Sequence, residues 1–131
     1  IYPSAFQNCI SLQGVVFQNK IERIGESAFK NCINLQTLLL PNSINLIGFY
    51  AFEGCDNLLT LSLPDNDLCD ILDRAFSSCS SLEKVVIPYG VQYVGNKAFA
   101  NCSSLEEVYI ENNNTEIEAT AFDSTVIINN M

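Results

Sequence analysis

Residues 26–41 read "ESAFKNCINLQTLLLP", and the reading of this stretch decides the fold. Ala28-Phe29 is followed three residues later by Cys32 and three later again by Leu35. Leu38 and Leu40 then alternate with polar-side positions before Pro41 closes the stretch. Taken alone, Cys32 is open to four roles: a nucleophile, a metal ligand, half of a disulfide, or a small packing group. The rest of the chain narrows the choice.

The Ala-Phe pair recurs at Ala5-Phe6, Ala51-Phe52, Ala75-Phe76, Ala98-Phe99 and Ala121-Phe122, with spacings of 23, 23, 24, 23 and 23. Cys9, Cys55, Cys79 and Cys102 keep the place of Cys32, with Thr125 expected there in the sixth copy. Leu12, Leu58, Leu82 and Leu105 keep that of Leu35, with Ile128 in the sixth. The alternating pair returns as Val15 and Phe17, Leu61 and Leu63, Val85 and Ile87, and Val108 and Ile110. Upstream, a second apolar pair (Ile21 and Ile24, Ile44 and Ile47, Val91 and Val94) precedes Gly25, Gly48 and Gly95.

A copy of about 23 residues cannot close a core by itself, because its apolar side chains have no neighbour above or below. Stacked copies turn each apolar position into a continuous column. The x-x-apolar-x-apolar segment predicts a short parallel strand at 37–40, ended by proline. Asn8, Asn31, Gly54, Ser78 and Asn101, each just before a cysteine, are mostly types that tolerate a left-handed backbone and predict a turn there. The glycines predict a second bend. The stretch at 27–31 is expected to make about one turn of helix or 3₁₀ structure.

The run Cys32-x-x-Leu35-x-x-Leu38-x-Leu40-Pro41, preceded by Ile24-Gly25-x-x-Ala28-Phe29, resembles the BspA-like class of leucine-rich repeat over essentially the whole chain. The resemblance implies an α/β repeat solenoid, a right-handed superhelix with a parallel β-sheet on its concave side. Short strands, turns and single helical turns would form the convex side. It also implies a surface or secreted protein of a host-associated bacterium or parasitic protist, engaged in adhesion to host or extracellular-matrix proteins. Residues 1–131 are expected to form one solenoid of about six copies, the first and last incomplete, cut from a longer array. Uncapped end copies would then be covered by further repeats or by self-association.

Composition excludes much else. With 48% hydrophobic and 16% charged residues the chain is an ordered domain. Six basic against 15 acidic residues give a net charge of -9, which repels nucleic acid and anionic membrane surfaces. No apolar run approaches the roughly 20 residues of a membrane span. The absence of histidine removes the commonest general base and most catalytic zinc sites. No cofactor motif is present, and the scattered carboxylates form no pair suited to glycoside chemistry.

The stacked cysteines lie within disulfide distance, but their Cβ vectors run parallel, and no basic residue accompanies them to lower a thiol pKa. Packing is the favoured role. Cys69, off the column in the 24-residue copy, is the candidate for an exposed thiol, beside the ordinary reading of a buried one. Asp65, Asp67, Asp70 and Asp73 crowd the same region. They could hold calcium, although the spacing lacks the glycine and distal glutamate of an EF-hand and suits a solvated acidic loop better. Two sequons, at Asn101 and Asn113, are present, of which the polar loop at 111–116 is the more plausible acceptor.

Strand side chains alternate faces, so Val16, Leu39, Ser62, Val86 and Tyr109 in one column, and Thr37, Thr60, Lys84 and Glu107 in another, should line the open concave face. An apolar stripe there marks a contact surface. The competing reading is that β-branched and aromatic residues are simply common in strands. The expected function is a non-catalytic protein-interaction module at a cell surface; the alternative is a spacer or intracellular scaffold segment without its own ligand.

Overall fold

The computed structural model describes residues 1–18 and 20–131, built from ten short strands. These are β1 (Arg23–Ile24), β2 (Thr37–Leu39), β3 (Leu46–Ile47), β4 (Thr60–Ser62), β5 (Cys69–Ile71), β6 (Lys84–Ile87), β7 (Val91–Val94), β8 (Glu107–Ile110), β9 (Glu116–Ile117) and β10 (Ile127–Asn130). Every pairing is parallel and joins a strand to one two further on in the chain. The odd strands make one five-stranded sheet, β1-β3-β5-β7-β9. The even strands make a β2-β4 pair and a separate β10-β8-β6 sheet. This connectivity is that of a solenoid.

The expected columns are the core. Leu38, Val85 and Val108 are buried beneath the even strands, and Ile24, Ile47, Ile71 and Val94 beneath the odd ones. Between them Phe6, Phe29, Phe52, Phe76, Phe99 and Phe122 form one unbroken stack. Its ring centroids lie 5.1–5.2 Å apart and its planes within 13° of parallel. Each ring packs on the next copy's ring, so the stack carries contact energy from copy to copy.

The helical turn expected at 27–31 is absent. Ser27 and Asn31 both have left-handed backbone, with φ of 56° and 59°. Two such residues four apart break any helix and turn alternate amides toward the neighbouring copy. Ser27 N donates to Phe49 O, Phe29 N to Ala51 O and Asn31 N to Glu53 O, at 2.7–2.9 Å. The segment is therefore a third hydrogen-bonded ladder between copies. The left-handed residue before each cysteine was legible, whereas the second such column, Ser4, Ser27, Tyr50, Arg74 and Lys97, was not.

The glycine column also has a different reason from the one expected. Gly25, Gly48 and Gly95 have no left-handed φ; their constraint is close approach. A Cβ on Gly48 would sit 2.8 Å from Ile24 O and 2.9 Å from Glu26 N, both main-chain atoms that cannot swing away. Gly48→Ala is therefore expected to cost about 1–3 kcal/mol, the usual range for overpacking. An unchanged denaturant midpoint would contradict this.

Two departures concern the even strands. The sixth copy is shortened: Ile128 pairs with Val108, 20 residues earlier, and Val126 N donates to Asp123 O as Leu105 N does to Cys102 O. Val126, not Ile128, therefore holds the leucine place, and Thr125 is exposed outside the cysteine column. The single sheet expected on this side is also interrupted, because β4 and β6 do not pair. The extra residue of the 24-residue copy lies in the chain that links them. Ile44 and Val91 N close i to i−3 turns on Pro41 and Pro88, but Cys69 N donates forward to Gly90 O instead.

Candidate functional site

The cysteines are structural groups with a specific task. Cys32, Cys55, Cys79 and Cys102 are buried, and each Sγ donates to the carbonyl of a phenylalanine in the preceding copy, at 3.1–3.4 Å. The Phe6, Phe29 and Phe52 carbonyls already accept from the Cys9, Cys32 and Cys55 amides of their own copies, so each thiol adds a second donor from the next copy. All six cysteines are free thiols. Burial pushes the Cys102 thiol up to about 12 and holds those of Cys55 and Cys79 well above the ordinary range. Such thiols are poor nucleophiles at neutral pH. Cys69 is buried rather than exposed: it pairs with Val91 in the second sheet, and burial raises its pKa to about 12.

The acidic loop serves the next copy. Asp65 Oδ1 accepts from Gly90 N at 2.9 Å, and Asp73 Oδ1 accepts from Asn96 N at 2.9 Å. Both contacts tie the irregular copy to the one that follows it. Asp70 lies in the second sheet, where burial raises its pKa. Asn113 is exposed in the turn after β8, beside the buried Asn112 that donates to Tyr89 O.

The nine residues expected on the strand face lie on one side of the even strands, or in line with them. Val16 is 96% exposed and Leu39 58%, Thr37, Thr60, Ser62, Lys84 and Val86 are exposed, and Glu107 and Tyr109 are half-buried. The face has two characters. Toward the N-terminus Val16 and Leu39 border a recess of about 390 Å³ with Gly14 and Thr37, and Leu59, in the approach to β4, adds 61% of its surface.

Toward the C-terminus the side chains are tied to one another. Lys84 Nζ lies 4.3 Å from the Tyr109 ring centroid, Tyr109 O–H donates to Glu107 at 2.5 Å, and Asn129 Nδ2 donates to the same carboxylate at 3.3 Å. That hydrogen bond to Glu107, with partial burial, raises the pKa of Tyr109. A polar network of this kind orders its side chains before any partner arrives.

A second apolar surface escaped sequence reasoning. Tyr2, Ile24, Gly25, Leu46, Gly48 and Phe49 line a recess of about 500 Å³ beside the odd strands. Tyr2 is 86% exposed there. The signal was present in Gly48-Phe49, an aromatic beside bare backbone.

The BspA type leucine-rich repeat region matches in 6 copies over residues 1–129. A leucine-rich repeat protein from Bacteroides ovatus is 29% identical with a TM-score of 0.78; the match covers 98% of this chain and 39% of that one. A leucine rich cell surface protein from Faecalibacterium prausnitzii is also 29% identical at a TM-score of 0.78, covering 90% and 31%. The T. pallidum leucine-rich repeat protein is 29% identical at 0.69, covering 90% and 51%. The chain thus spans about half, or less, of these relatives. No curated protein matches. Repeat spacing, parallel coil and family match agree, and the chain belongs to the BspA-type leucine-rich repeat family.

Proposed function

We propose that the chain is a non-catalytic module that binds a protein partner on the outer face of its even strands, at a cell surface. The observation that carries this reading is the exposure of Val16, Leu39, Leu59 and Val86 on or beside one open sheet face, next to the ordered Lys84, Glu107 and Tyr109 group. Apolar side chains gathered on one side of a rigid scaffold are the usual core of an interface, and a polar rim sets its register. The fold is typical of protein interaction, and repeat solenoids present extended surfaces rather than enclosed pockets.

The surface location rests on the Faecalibacterium protein described as a cell surface protein. Among the described residues no helix is long and apolar enough to cross a membrane, so in this reading any anchor lies elsewhere. The partner would be a host or extracellular-matrix protein.

The test is Leu39→Asp, Val86→Asp and Tyr109→Ser together. Affinity for a partner captured by the wild-type chain is expected to fall at least tenfold, about 1.4 kcal/mol, with the thermal midpoint held. Unchanged affinity would remove the face from the binding account. A wild-type chain that captures nothing would favour the spacer role.

A further inference from the structure

The third ladder, apart from the even strands, carries a recess in its last three copies. The place of Lys30 is held in successive copies by Gln7, Lys30, Glu53, Ser77, Ala100 and Asp123. In the second and third copies long side chains fill it, and Lys30 Nζ meets Glu53 Oε1 at 3.6 Å. Ser77 and Ala100 are too short to do the same, and both are buried. They floor a recess of about 400 Å³ that Asp123 also lines. That volume lies within the range of small-ligand sites.

Two cations stand at its rim. Arg74 and Lys97 belong to the left-handed column, one copy apart, and both side chains are exposed. Among the described residues neither forms an ion pair. The acids beside them are held by main-chain amides instead: Asp73 accepts from Asn96 N at 2.9 Å, and Asp123 from Asn101 N at 3.0 and 3.2 Å. In a chain with 15 acidic and six basic residues, two neighbouring cations without a carboxylate partner are an exception. Like charges on facing rungs oppose each other, and an anion between them removes that opposition. The remaining rim is neutral and polar, with Asn101 and Ser124 exposed.

We infer that this recess binds an acidic sugar, a pyranose ring bearing one carboxylate, with the carboxylate at Arg74 and Lys97 and the ring hydroxyls at Asp123, Asn101 and Ser124. Charge complementarity selects this ligand. The net charge of -9 repels a polyanion, so the bound anion is single. Arg74 offers the planar fork that matches a carboxylate, and Lys97 adds a point charge. Asp123 then decides against a bare anion, because its carboxylate opposes another carboxylate and accepts from hydroxyls. The Asn101 amide uses only part of its acceptor capacity. A free amino acid would offer Asp123 an ammonium group, but its two charges sit on neighbouring atoms. Arg74 and Asp123 stand two copies apart, roughly 10 Å at the usual spacing of paired strands. A sugar ring separates its carboxylate from its far hydroxyls and bridges that span. The site goes beyond the strand-face reading and stands or falls without it.

The test is a titration of the isotope-labelled full chain followed by amide chemical shifts. Methyl glucuronide and N-acetylneuraminic acid are the acidic sugars, methyl glucoside the neutral control, acetate the bare anion and an oligoglutamate peptide the polyanion. At least one acidic sugar is expected to shift the amides of residues 74, 97, 101, 123 and 124, and to bind at least about tenfold more tightly than any control. The tighter of the two identifies the source of the carboxylate. Arg74→Gln with Lys97→Gln is expected to weaken that sugar at least about tenfold at an unchanged thermal midpoint. Asp123→Asn, which keeps an acceptor for Asn101 N, is expected to weaken the sugar and leave acetate unaffected.

The inference is overturned if neither acidic sugar shifts these amides, if acetate or oligoglutamate binds as tightly as the sugar, or if the double variant keeps full affinity. The wild-type titration decides the first two points without any variant.

Discussion

Phe52→Ala is expected to destabilise the chain by about 3–5 kcal/mol, the range for deleting a buried aromatic side chain. Phe52 is fully buried between Phe29 at 5.1 Å and Phe76 at 5.2 Å, so its removal leaves a cavity and takes away both stacking contacts at once. In a repeat array each copy touches only its neighbours, so a lost middle rung also uncouples the coils on either side. A drop of roughly 10 °C or more in thermal midpoint follows for a chain of this size. Phe6, 43% exposed with one stacked partner, provides the internal control and should cost about half as much. A loss below about 1 kcal/mol for Phe52→Ala would show that the stack is not the spine of the fold.

The second large effect is alkaline unfolding. Cys55, Cys69, Cys79 and Cys102 all have folded-state pKa values raised above the ordinary 9.0 by burial, to about 12 for Cys69 and Cys102. Below pH 9 both folded and unfolded chains keep these protons, and stability does not depend on them. Above pH 9 the unfolded chain ionises while the folded chain does not, so stability falls as pH rises toward 12 and beyond. Each thiol contributes about 1.4 kcal/mol of loss per pH unit in that window. Four together exhaust a typical domain stability of about 5–15 kcal/mol within roughly one to three units.

Cooperative unfolding is therefore expected between about pH 10 and 12. It should be shifted upward when the four are replaced by valine or alanine in a variant that still folds. A denaturant midpoint flat from pH 8 to 12 would contradict the burial of the column.

Much of the coil was legible because its apolar positions recur together. Phe29, Cys32, Leu35 and Leu38 are all buried, as one register across five copies requires. The sixth copy misled because its Ala121-Phe122 pair keeps the spacing while the following turn is shortened; Thr125 and Ile128 matched by count but not by pairing. The left-handed backbone at Tyr50, Arg74 and Lys97 left no trace in residue type, since these side chains point outward and only the backbone is constrained. Gly48 was visible as a glycine, but its cause, the carbonyl of Ile24 from the preceding copy, lies 24 residues away in sequence.

Alternation placed Leu39 and Val86 on the open face, and both are exposed there. The absence of pairing between β4 and β6 was not visible: "TLSLP" at 60–64 and "KVVIP" at 84–88 read as equivalent strands. The added residue sits beyond the first of them, in the loop at 65–68. Pairing of strands a copy apart depends on that loop's path, which strand composition does not encode.

The proposed seat of a protein partner is the outer face of the even strands. A photo-crosslinking amino acid placed in turn at Leu39, at Val86 and at Tyr89, an exposed residue just past β6, tests it directly. Leu39 and Val86 are expected to join the chain to its partner in high yield, and Tyr89 is not. Efficient crosslinking from Tyr89 with none from Leu39 or Val86 would contradict it.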